Sequence, residues 1–288
     1  MKMLAEGGSL PGVGAIHIDE IEPTLDRLEK VLGIDLKSNT LGSVGKKEFS
    51  GDIDVALEIS PEELPAFVEK LKNIPEVMEL AKSSVIMTKV KIADYDPDKQ
   101  VQGKPRTGYV QVDFMPGDPS WLKTYYHSPY EKDSKYKGVY RNILLASIAG
   151  QLNRKDSEEK IADGRPLKSE RYMLSPTDGL IKVLRTPTPN KKGDGYTKKN
   201  DNQIIDGPYK NPDDIAKVLR LGKADSLYSY ESLRKAMDQN YPPALVKAIL
   251  KDFAENSTIR DIGVPTDIKL SESVGTTDWF RTLLDIVK

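Results

Sequence analysis

The sequence predicts an α/β (α+β) fold in which a mixed sheet flanked by helices is followed by a more helical C-terminal region. Segments that alternate apolar and polar residues, as half-buried strands do, concentrate in the first half of the 288-residue chain, whereas helical periodicity dominates the last third. With 38% hydrophobic and 30% charged residues, the chain can build a core beneath a polar surface. Since domains commonly hold roughly 100–200 residues, we predict two, at residues 1–125 and 126–288.

The first half is predicted to contain two helices and three strands. A helix is expected to begin near Glu22, because Pro23 fits only in a first helical turn, and to end at Gly33, which tolerates left-handed geometry. Residues 60–63 are typical of a second helix start, with a capping Ser, a Pro at the first position and a Glu three residues on. The predicted strands are residues 51–59, 84–93 and 107–115.

The second half is predicted to be mainly helical. Helices are expected at residues 121–126 and 138–152, from Asn211 to Gly222, and at about 229–239, 243–255 and 277–287. Residues 168–185 are predicted to form a hairpin that turns at 176–179. Residues 186–202 are polar and lysine-rich, and we expect an exposed, solvated loop there.

Composition excludes several kinds of chemistry. The chain has no cysteine, which removes thiolate nucleophiles, disulfides and cysteine-ligated metals, and its two histidines are too few for a multi-histidine metal site. Both His17 and His127 are expected to be structural residues near helix ends, although His127 could contact a base or an acceptor. The formal charge of −1 argues against a protein that coats DNA through bulk positive charge.

Hydropathy predicts the location of the protein. No apolar run approaches the roughly 20 residues that a transmembrane helix needs, and the N-terminus lacks the apolar segment of a signal peptide. We therefore expect a cytoplasmic protein with no membrane partner.

Two aspartates within one predicted strand are the first candidate functional residues. Residues two apart in a strand share a face, with Cα atoms roughly 6.6 Å apart, so Asp52 and Asp54 lie side by side while Ile53 and Val55 face the core. Two neighbouring carboxylates repel each other unless a cation lies between them. Mg²⁺ is the natural partner, since it binds one or two carboxylates together with substrate phosphates.

A third aspartate occurs in another predicted strand. Asp113 lies on the face opposite Val112 and Phe114 in an otherwise apolar strand, and an unpaired carboxylate is costly to bury there. If the two strands are neighbours, Asp113 completes a site with Asp52 and Asp54 for two Mg²⁺ ions about 3.5–4 Å apart. One ion would activate an attacking hydroxyl, and the other would hold a triphosphate and stabilise the leaving pyrophosphate.

A Gly-Ser pair precedes the acidic strand. Gly42 permits close approach of the backbone to a phosphate, and the amide and hydroxyl of Ser43 can donate to phosphate oxygens. Lys46, in the loop that follows, can neutralise phosphate charge, although loop lysines are commonly just solvated.

Together, Gly42-Ser43, Asp52-Ile53-Asp54 and Asp113 resemble the DNA polymerase beta-type nucleotidyltransferase superfamily over about residues 20–116. The resemblance implies a nucleotidyltransferase-like fold and transfer of a nucleoside monophosphate from an NTP, most simply ATP, to an acceptor hydroxyl. By the same resemblance, Gly42 and Ser43 contact phosphates, Asp52 and Asp54 hold both metal ions, and Asp113 holds one ion and assists deprotonation of the acceptor.

The acceptor and a competing hypothesis stay open. A nucleic-acid 3′ end requires a basic groove, and the concentrated basic segment is residues 182–199, with six Lys/Arg and one Asp. The near-neutral total charge slightly favours a small molecule or a protein side chain. The alternative is a nucleotidyltransferase-like module that only binds, as a subunit of a larger assembly or an antitoxin-type partner. Pyrophosphate transfer to a nucleotide, as in alarmone synthetases, has no second motif to support it.

Overall fold

The computed structural model describes residues 10–82, 85–100, 106–260 and 262–265. Its strands in chain order are β1 (Ile16–His17), β2 (Phe49–Ser50), β3 (Asp52–Leu57), β4 (Val77–Lys82), β5 (Ile86–Lys91), β6 (Tyr109–Pro116), β7 (Lys155–Asp156), β8 (Ser169–Ser175), β9 (Gly179–Pro189) and β10 (Tyr196–Tyr209). Its helices are α1 (Ile18–Leu32), α2 (Leu64–Lys72), α3 (Pro119–Tyr125), α4 (Gly138–Gln151), α5 (Pro212–Val218), α6 (Tyr230–Asn240) and α7 (Pro243–Ile259). The predicted α/β class, a mixed sheet flanked by helices, is confirmed.

Helix α1 begins with a capping box. His17 Nδ1 accepts a hydrogen bond from the Asp19 backbone N–H at 3.2 Å, and the Glu20 carboxylate accepts one from the His17 N–H at 3.0 Å. These bonds satisfy helix-start amides that would otherwise lack partners. The predicted start near Glu22 is therefore wrong, because the cap sets the start earlier and Pro23 lies inside the helix.

The end of α1 agrees with the sequence prediction. Gly33 has a left-handed φ of 71°, and its N–H donates to the Glu29 carbonyl at 2.7 Å. One face of the helix is buried at a helical spacing, with Leu25 and Leu28 each 1% exposed.

The first sheet has the strand order β3-β6-β5-β4. β3 runs parallel to β6, whereas β6 and β5 are antiparallel, as are β5 and β4, so the sheet is mixed. Strand β4 is absent from the sequence prediction. It is an edge strand in which Met78 is 59% exposed, and helix-forming Glu79, Leu80, Ala81 and Lys82 hide the strand pattern until β5 pairs with it.

The second sheet has the order β10-β9-β8-β7 and is antiparallel. Its central hairpin, β8–β9, confirms the predicted turn at residues 176–179. The predicted loop at 186–202 is wrong, because most of that segment belongs to β9 and β10. β10 exposes both faces, so it lacks the apolar alternation that marks a half-buried strand, and backbone pairing with β9 defines it.

The C-terminal region therefore combines a sheet with helices. Helices α5, α6 and α7 lie near their predicted positions, although α5 ends at Val218 rather than at Gly222. The predicted helix at 277–287 lies outside the described residues. No helix in the described ranges is both long and apolar enough to cross a membrane.

Buried apolar residues form two large clusters. The first core, between α1, α2 and the first sheet, runs in sequence from Ile16 to Phe114. The second core, formed mainly by α4 to α7, runs from Trp121 to Phe253. The proposed division at residues 125 and 126 stays a prediction, since α3 places Trp121 in the second core and Leu122 against Leu41.

Candidate nucleotide and metal site

The three predicted aspartates meet on neighbouring strands. In β3, Ile53 and Val55 are fully buried in the first core, which turns Asp52 and Asp54 to the opposite face. β6 pairs with β3 in parallel so that Asp113 lies directly across from Asp54. Adjacent strands lie about 4.8 Å apart, and this register gathers the carboxylates into one acidic face.

Gly42 packs against this acidic face. The preceding residue, Leu41, donates its N–H to the Asp54 carbonyl at 2.8 Å, which ties the turn to β3. Gly42 has a φ of 64°, in the region that side chains disfavour, and a Cβ at this position would lie 3.4 Å from Asp54 Oδ2. Glycine therefore lets the backbone run beside the carboxylate.

Ser43 and Lys46 lie in the same turn but in different surroundings. The Ser43 carbonyl accepts the Lys46 N–H at 3.1 Å, and Ser43 is half-buried beside Gly42. The Lys46 ammonium donates to the Ser128 carbonyl at 2.6 Å and lies 5.8 Å from the centre of the Tyr130 ring. Burial lowers the pKa of Lys46. In this arrangement Lys46 fastens the turn to residues 128–130.

The acidic face has strongly shifted protonation equilibria. Burial, and then the charges of Asp52 and Asp113, raise the pKa of Asp54 to about 8. Burial also raises the pKa of Asp113 to about 6, with a hydrogen bond from Gln111 acting to lower it and the charge of Asp52 to raise it. Among the described residues, no Lys or Arg forms an ion pair with Asp54 or Asp113.

Gln111 is a site residue that sequence reasoning missed. Its side-chain amide donates to both carboxylate oxygens of Asp113, at 2.9 and 3.0 Å, and its carbonyl accepts the Leu10 N–H at 3.1 Å. Gln111 is 3% exposed. The sequence feature that could have identified Gln111 is its position two residues before Asp113, because residues two apart in a strand share a face and can be in contact.

Within the described ranges, no group of three or more His, Asp or Glu side chains is arranged to hold a metal ion as the side chains stand. Gln111 holds both oxygens of Asp113, and like charges disfavour closer approach of the three carboxylates. The donor set itself is all carboxylate oxygen, the chemistry that Mg²⁺ prefers.

Tyr126 borders the acidic face and was also missed. It packs against the small cluster of Leu41, Ala56 and Leu122, and Ala56 continues the strand face of Asp54. Burial raises the pKa of Tyr126, and the charges of Tyr125 and Asp54 act in the same direction. No pattern in the sequence pointed to this residue, because its proximity depends on where α3 folds back.

Both histidines have structural surroundings. His17 caps α1, as described above. His127 follows α3, with its ring centre 4.7 Å from that of Tyr228, and burial together with the charges of Lys46 and Arg141 lowers its pKa to about 4. The His127 ring is therefore neutral at pH 7.

Comparisons with known proteins give distant likenesses to solved structures. No protein-family model matches the chain, and no curated protein matches it. Among solved structures, it is similar to DNA polymerase beta of Leishmania infantum in a ternary P/T complex, at 16% identity and a TM-score of 0.36 over 72% of this chain and 73% of the other. A ternary gap complex of the same polymerase matches with the same identity and TM-score, over 72% of this chain and 67% of the other.

Proposed function

We propose that the chain is a Mg²⁺-dependent nucleotidyltransferase that moves a nucleoside monophosphate from an NTP, with ATP the expected donor, to an acceptor hydroxyl and releases pyrophosphate. The observation that carries the proposal is the parallel register that sets Asp54 opposite Asp113, with Asp52 on the same face. Carboxylates grouped without a cationic side chain at Asp54 or Asp113 destabilise the folded chain when they ionise, unless a cation binds them.

The carboxylate oxygens of the acidic face are the ligand type that Mg²⁺ prefers, although the side chains would have to rearrange to hold an ion. Asp52 and Asp54 would hold the two ions, and Asp113 would join them at one ion after exchanging its hydrogen bonds from Gln111. When bound, Mg²⁺ supplies charge neutralisation for the triphosphate and for the leaving pyrophosphate.

Asp113 is suited to accept the proton of the acceptor hydroxyl. In the metal-free protein its pKa is about 6, so the carboxylate is mostly ionised at pH 7 and can accept a proton. The acceptor oxygen forms a bond to the α-phosphorus, the bond from the α-phosphorus to the bridging oxygen breaks, and the hydroxyl proton passes to Asp113. Before that exchange, Gln111 holds the Asp113 carboxylate in place.

The turn that carries Gly42 and Ser43 would bind the phosphates. Gly42 packs closely against Asp54, so the following backbone amide and the Ser43 hydroxyl would lie near the acidic face. Lys46 would contribute charge only after leaving the Ser128 carbonyl, so we expect it to act first as a structural tie.

A calorimetric titration with ATP and Mg²⁺ tests the proposal. Wild-type protein is expected to bind ATP only with Mg²⁺, whereas the double variant Asp52→Asn/Asp54→Asn is expected to lose this binding and remain folded. Asp225→Asn, at an exposed position in a short helical turn, is the matched control and should bind like wild type.

Turnover is measured separately, by mass spectrometry of RNA, metabolites and proteins from whole cells after incubation with labelled ATP and the protein. Loss of labelled product in the double variant supports transfer. Full activity of that variant would disprove the mechanism. If no Mg²⁺-dependent ATP binding occurs, the alternative of a binding or structural module in a larger assembly, or an antitoxin-type partner, is favoured.

A further inference from the structure

A second candidate site lies in a cavity of about 340 Å³ between α3, α4 and neighbouring elements of the second core. Residues in its wall include Tyr125, Tyr126, Arg141, Ala146 and Arg260. Its volume is in the range of small-molecule pockets. None of the described residues that line it is Asp or Glu. Among the described residues, the cavity, here called the Arg141 cavity, therefore has two positive charges and no negative side chain in its wall.

Arg141 is buried with part of its guanidinium unused. It is 1% exposed. Its Nε donates to the Leu227 carbonyl, and its Nη1 donates to the Tyr125 carbonyl at 3.0 Å and to Asn142 Oδ1 at 2.7 Å. Its Nη2 is buried and has no hydrogen-bond partner within the described part of the chain. Three of the five N–H donors of the side chain are thus used, and the remaining two belong to Nη2.

The charge of Arg141 has no counter-charge among the described side chains. All of its protein partners are neutral oxygens, and burial lowers its pKa to about 10. An isolated buried cation with unsatisfied donors is destabilising, so a side chain of this kind indicates that something else binds there. An arginine that served only to hold α4 to its neighbours would need no free pair of donors.

The rest of the cavity wall narrows the class of ligand. Tyr125 and Tyr126 provide flat, apolar surface with a hydroxyl, and burial raises the pKa of both, which keeps the hydroxyls protonated as donors. Arg260 is exposed and adds a second cation. A phosphate monoester carries about −1.5 to −2 charges at pH 7 and several acceptor oxygens, so it matches two arginines better than a carboxylate does.

The cavity also adjoins the acidic face. Tyr126 lines the cavity and also packs against the cluster of Leu41, Ala56 and Leu122, in which Ala56 lies two residues after Asp54 on the same strand. The geometry points to the Arg141 cavity as the acceptor pocket, which binds a small molecule that carries a phosphate group on a flat ring. The role as acceptor pocket rests on the proposed function, whereas binding of such a ligand does not.

Direct binding of phenyl phosphate to the full-length protein, without ATP or Mg²⁺, tests the pocket. Titration followed by ³¹P NMR or calorimetry is expected to give saturable binding at millimolar concentration or tighter. Benzoate, with one charge, should bind at least threefold more weakly, and uncharged benzyl alcohol should not bind detectably. No binding of phenyl phosphate, or equal binding of the three probes, would overturn the pocket.

Three variants locate the binding. Arg141→Gln is expected to weaken binding at least tenfold and Arg260→Gln about threefold. Arg141 also donates to two backbone carbonyls, so its substitution perturbs the fold as well as the cavity. Ala146→Phe therefore provides an independent test, since Ala146 is exposed in the cavity wall and a phenyl ring there fills the space. Lys251→Gln, an exposed residue on α7 with the same charge change, should bind like wild type. Wild-type affinity in both Arg260→Gln and Ala146→Phe would exclude this cavity.

Simultaneous titration separates the pocket from the proposed function. Saturating phenyl phosphate is expected to change the Kd of Mg²⁺-ATP by less than twofold, because acceptor and nucleotide must bind together. Competition between them would overturn the acceptor assignment by making the cavity part of the nucleotide site. If phenyl phosphate binds and Mg²⁺-ATP does not, the proposed function fails and the pocket stands; the reverse result refutes the pocket alone.

Discussion

Two shielded carboxyl groups in the first half of the chain, Glu20 and Asp54, have pKa values that are shifted in opposite directions. Burial acts to raise the pKa of Glu20, but hydrogen bonds from Arg106 and from the backbone N–H groups of Asp96 and His17 outweigh it, and the pKa is lowered. Burial, together with the charges of the neighbours Asp52 and Asp113, raises the pKa of Asp54 to about 8.

The difference lies in what the chain supplies to each carboxyl group. Arg106 donates to both oxygens of Glu20 at 2.8 Å, and both side chains are 1% exposed. Asp54 faces other acids and has no ion pair in the described part of the chain. Glu20 receives its cation from the protein, whereas for Asp54 we propose that a cation from solution takes that role.

The largest expected change in stability comes from removing one partner of the buried Glu20–Arg106 ion pair. Glu20→Ala leaves Arg106 buried without its counter-charge, which should lower the free energy of unfolding by about 3–5 kcal/mol. Urea denaturation measures it. Glu22→Ala, an exposed glutamate on the same helix, is the control and should change stability by less than about 0.5 kcal/mol. Similar losses in both variants would show that the Glu20–Arg106 pair does not stabilise the fold in this way.

Asp54→Asn is expected to raise the free energy of unfolding, in contrast to Glu20→Ala. A folded-state pKa raised from 3.8 to about 8 means that the stability associated with the protonated carboxyl is complete below about pH 4 and is lost as pH rises to 8. The variant removes that loss. We expect it to be more stable than wild type by about 1–2 kcal/mol at pH 8, a value that allows for partial solvation of the carboxyl, and equal to wild type near pH 4.

Urea midpoints at pH 4, 6 and 8 in the presence of a chelator measure this difference. The pH dependence carries the test, since any Asp→Asn change can shift stability by a constant amount. Asp225→Asn, at an exposed position, should show no pH-dependent gain. A destabilised Asp54→Asn protein at pH 8 would mean that the chain already compensates the acidic face.

We expect Mg²⁺ to stabilise the acidic face by neutralising its charge, as Arg106 neutralises the charge of Glu20. At a concentration ten times its Kd, a ligand that binds only the folded state stabilises by about 1.4 kcal/mol. Thermal unfolding with MgCl₂ at pH 8 should therefore show a higher Tm for wild type and for Glu22→Ala, but not for Asp52→Asn/Asp54→Asn. An equal rise in the double variant would place the bound ion elsewhere.

Local patterns predict the site better than they predict the fold around it. Alternation in β3 and β6 placed Asp52, Asp54 and Asp113 on strand faces, and that follows from strand geometry alone. The pairing of these strands in parallel, and the register that sets Asp54 opposite Asp113, depends on packing of the first core, which a single segment does not encode. The same alternation in β6 predicts that Gln111 lies on the face of Asp113.

The structural features that the sequence did not predict depend on partners elsewhere in the chain or on an unusual capping residue. β4 and β10 are edge strands with exposed faces, so their side chains carry little apolar periodicity and their backbone pairing partners define them. The early start of α1 depends on a His–Glu capping box, in which His17 occupies a position more often held by Ser, Thr, Asp or Asn. Tyr126 and Arg141 approach the acidic face or its neighbouring cavity only after α3 and α4 pack.

The smallest expected effects are those of replacing Gly42 or Gly33 by Ala. Comparing the two variants distinguishes the cost of backbone strain from the effect of a side chain beside the acidic face. Gly42 and Gly33 have nearly the same left-handed φ, 64° and 71°, but a Cβ at Gly42 meets Asp54 Oδ2 at 3.4 Å and a Cβ at Gly33 meets nothing within 4 Å. Replacement of either by Ala should destabilise the protein by about 1 kcal/mol through backbone strain. Only Gly42→Ala should also weaken Mg²⁺-ATP binding in calorimetry, because its new methyl group lies against the carboxylate and the path of the phosphates. Equal ATP binding by the two variants would remove the turn from the proposed nucleotide site and leave the three aspartates to account for binding alone.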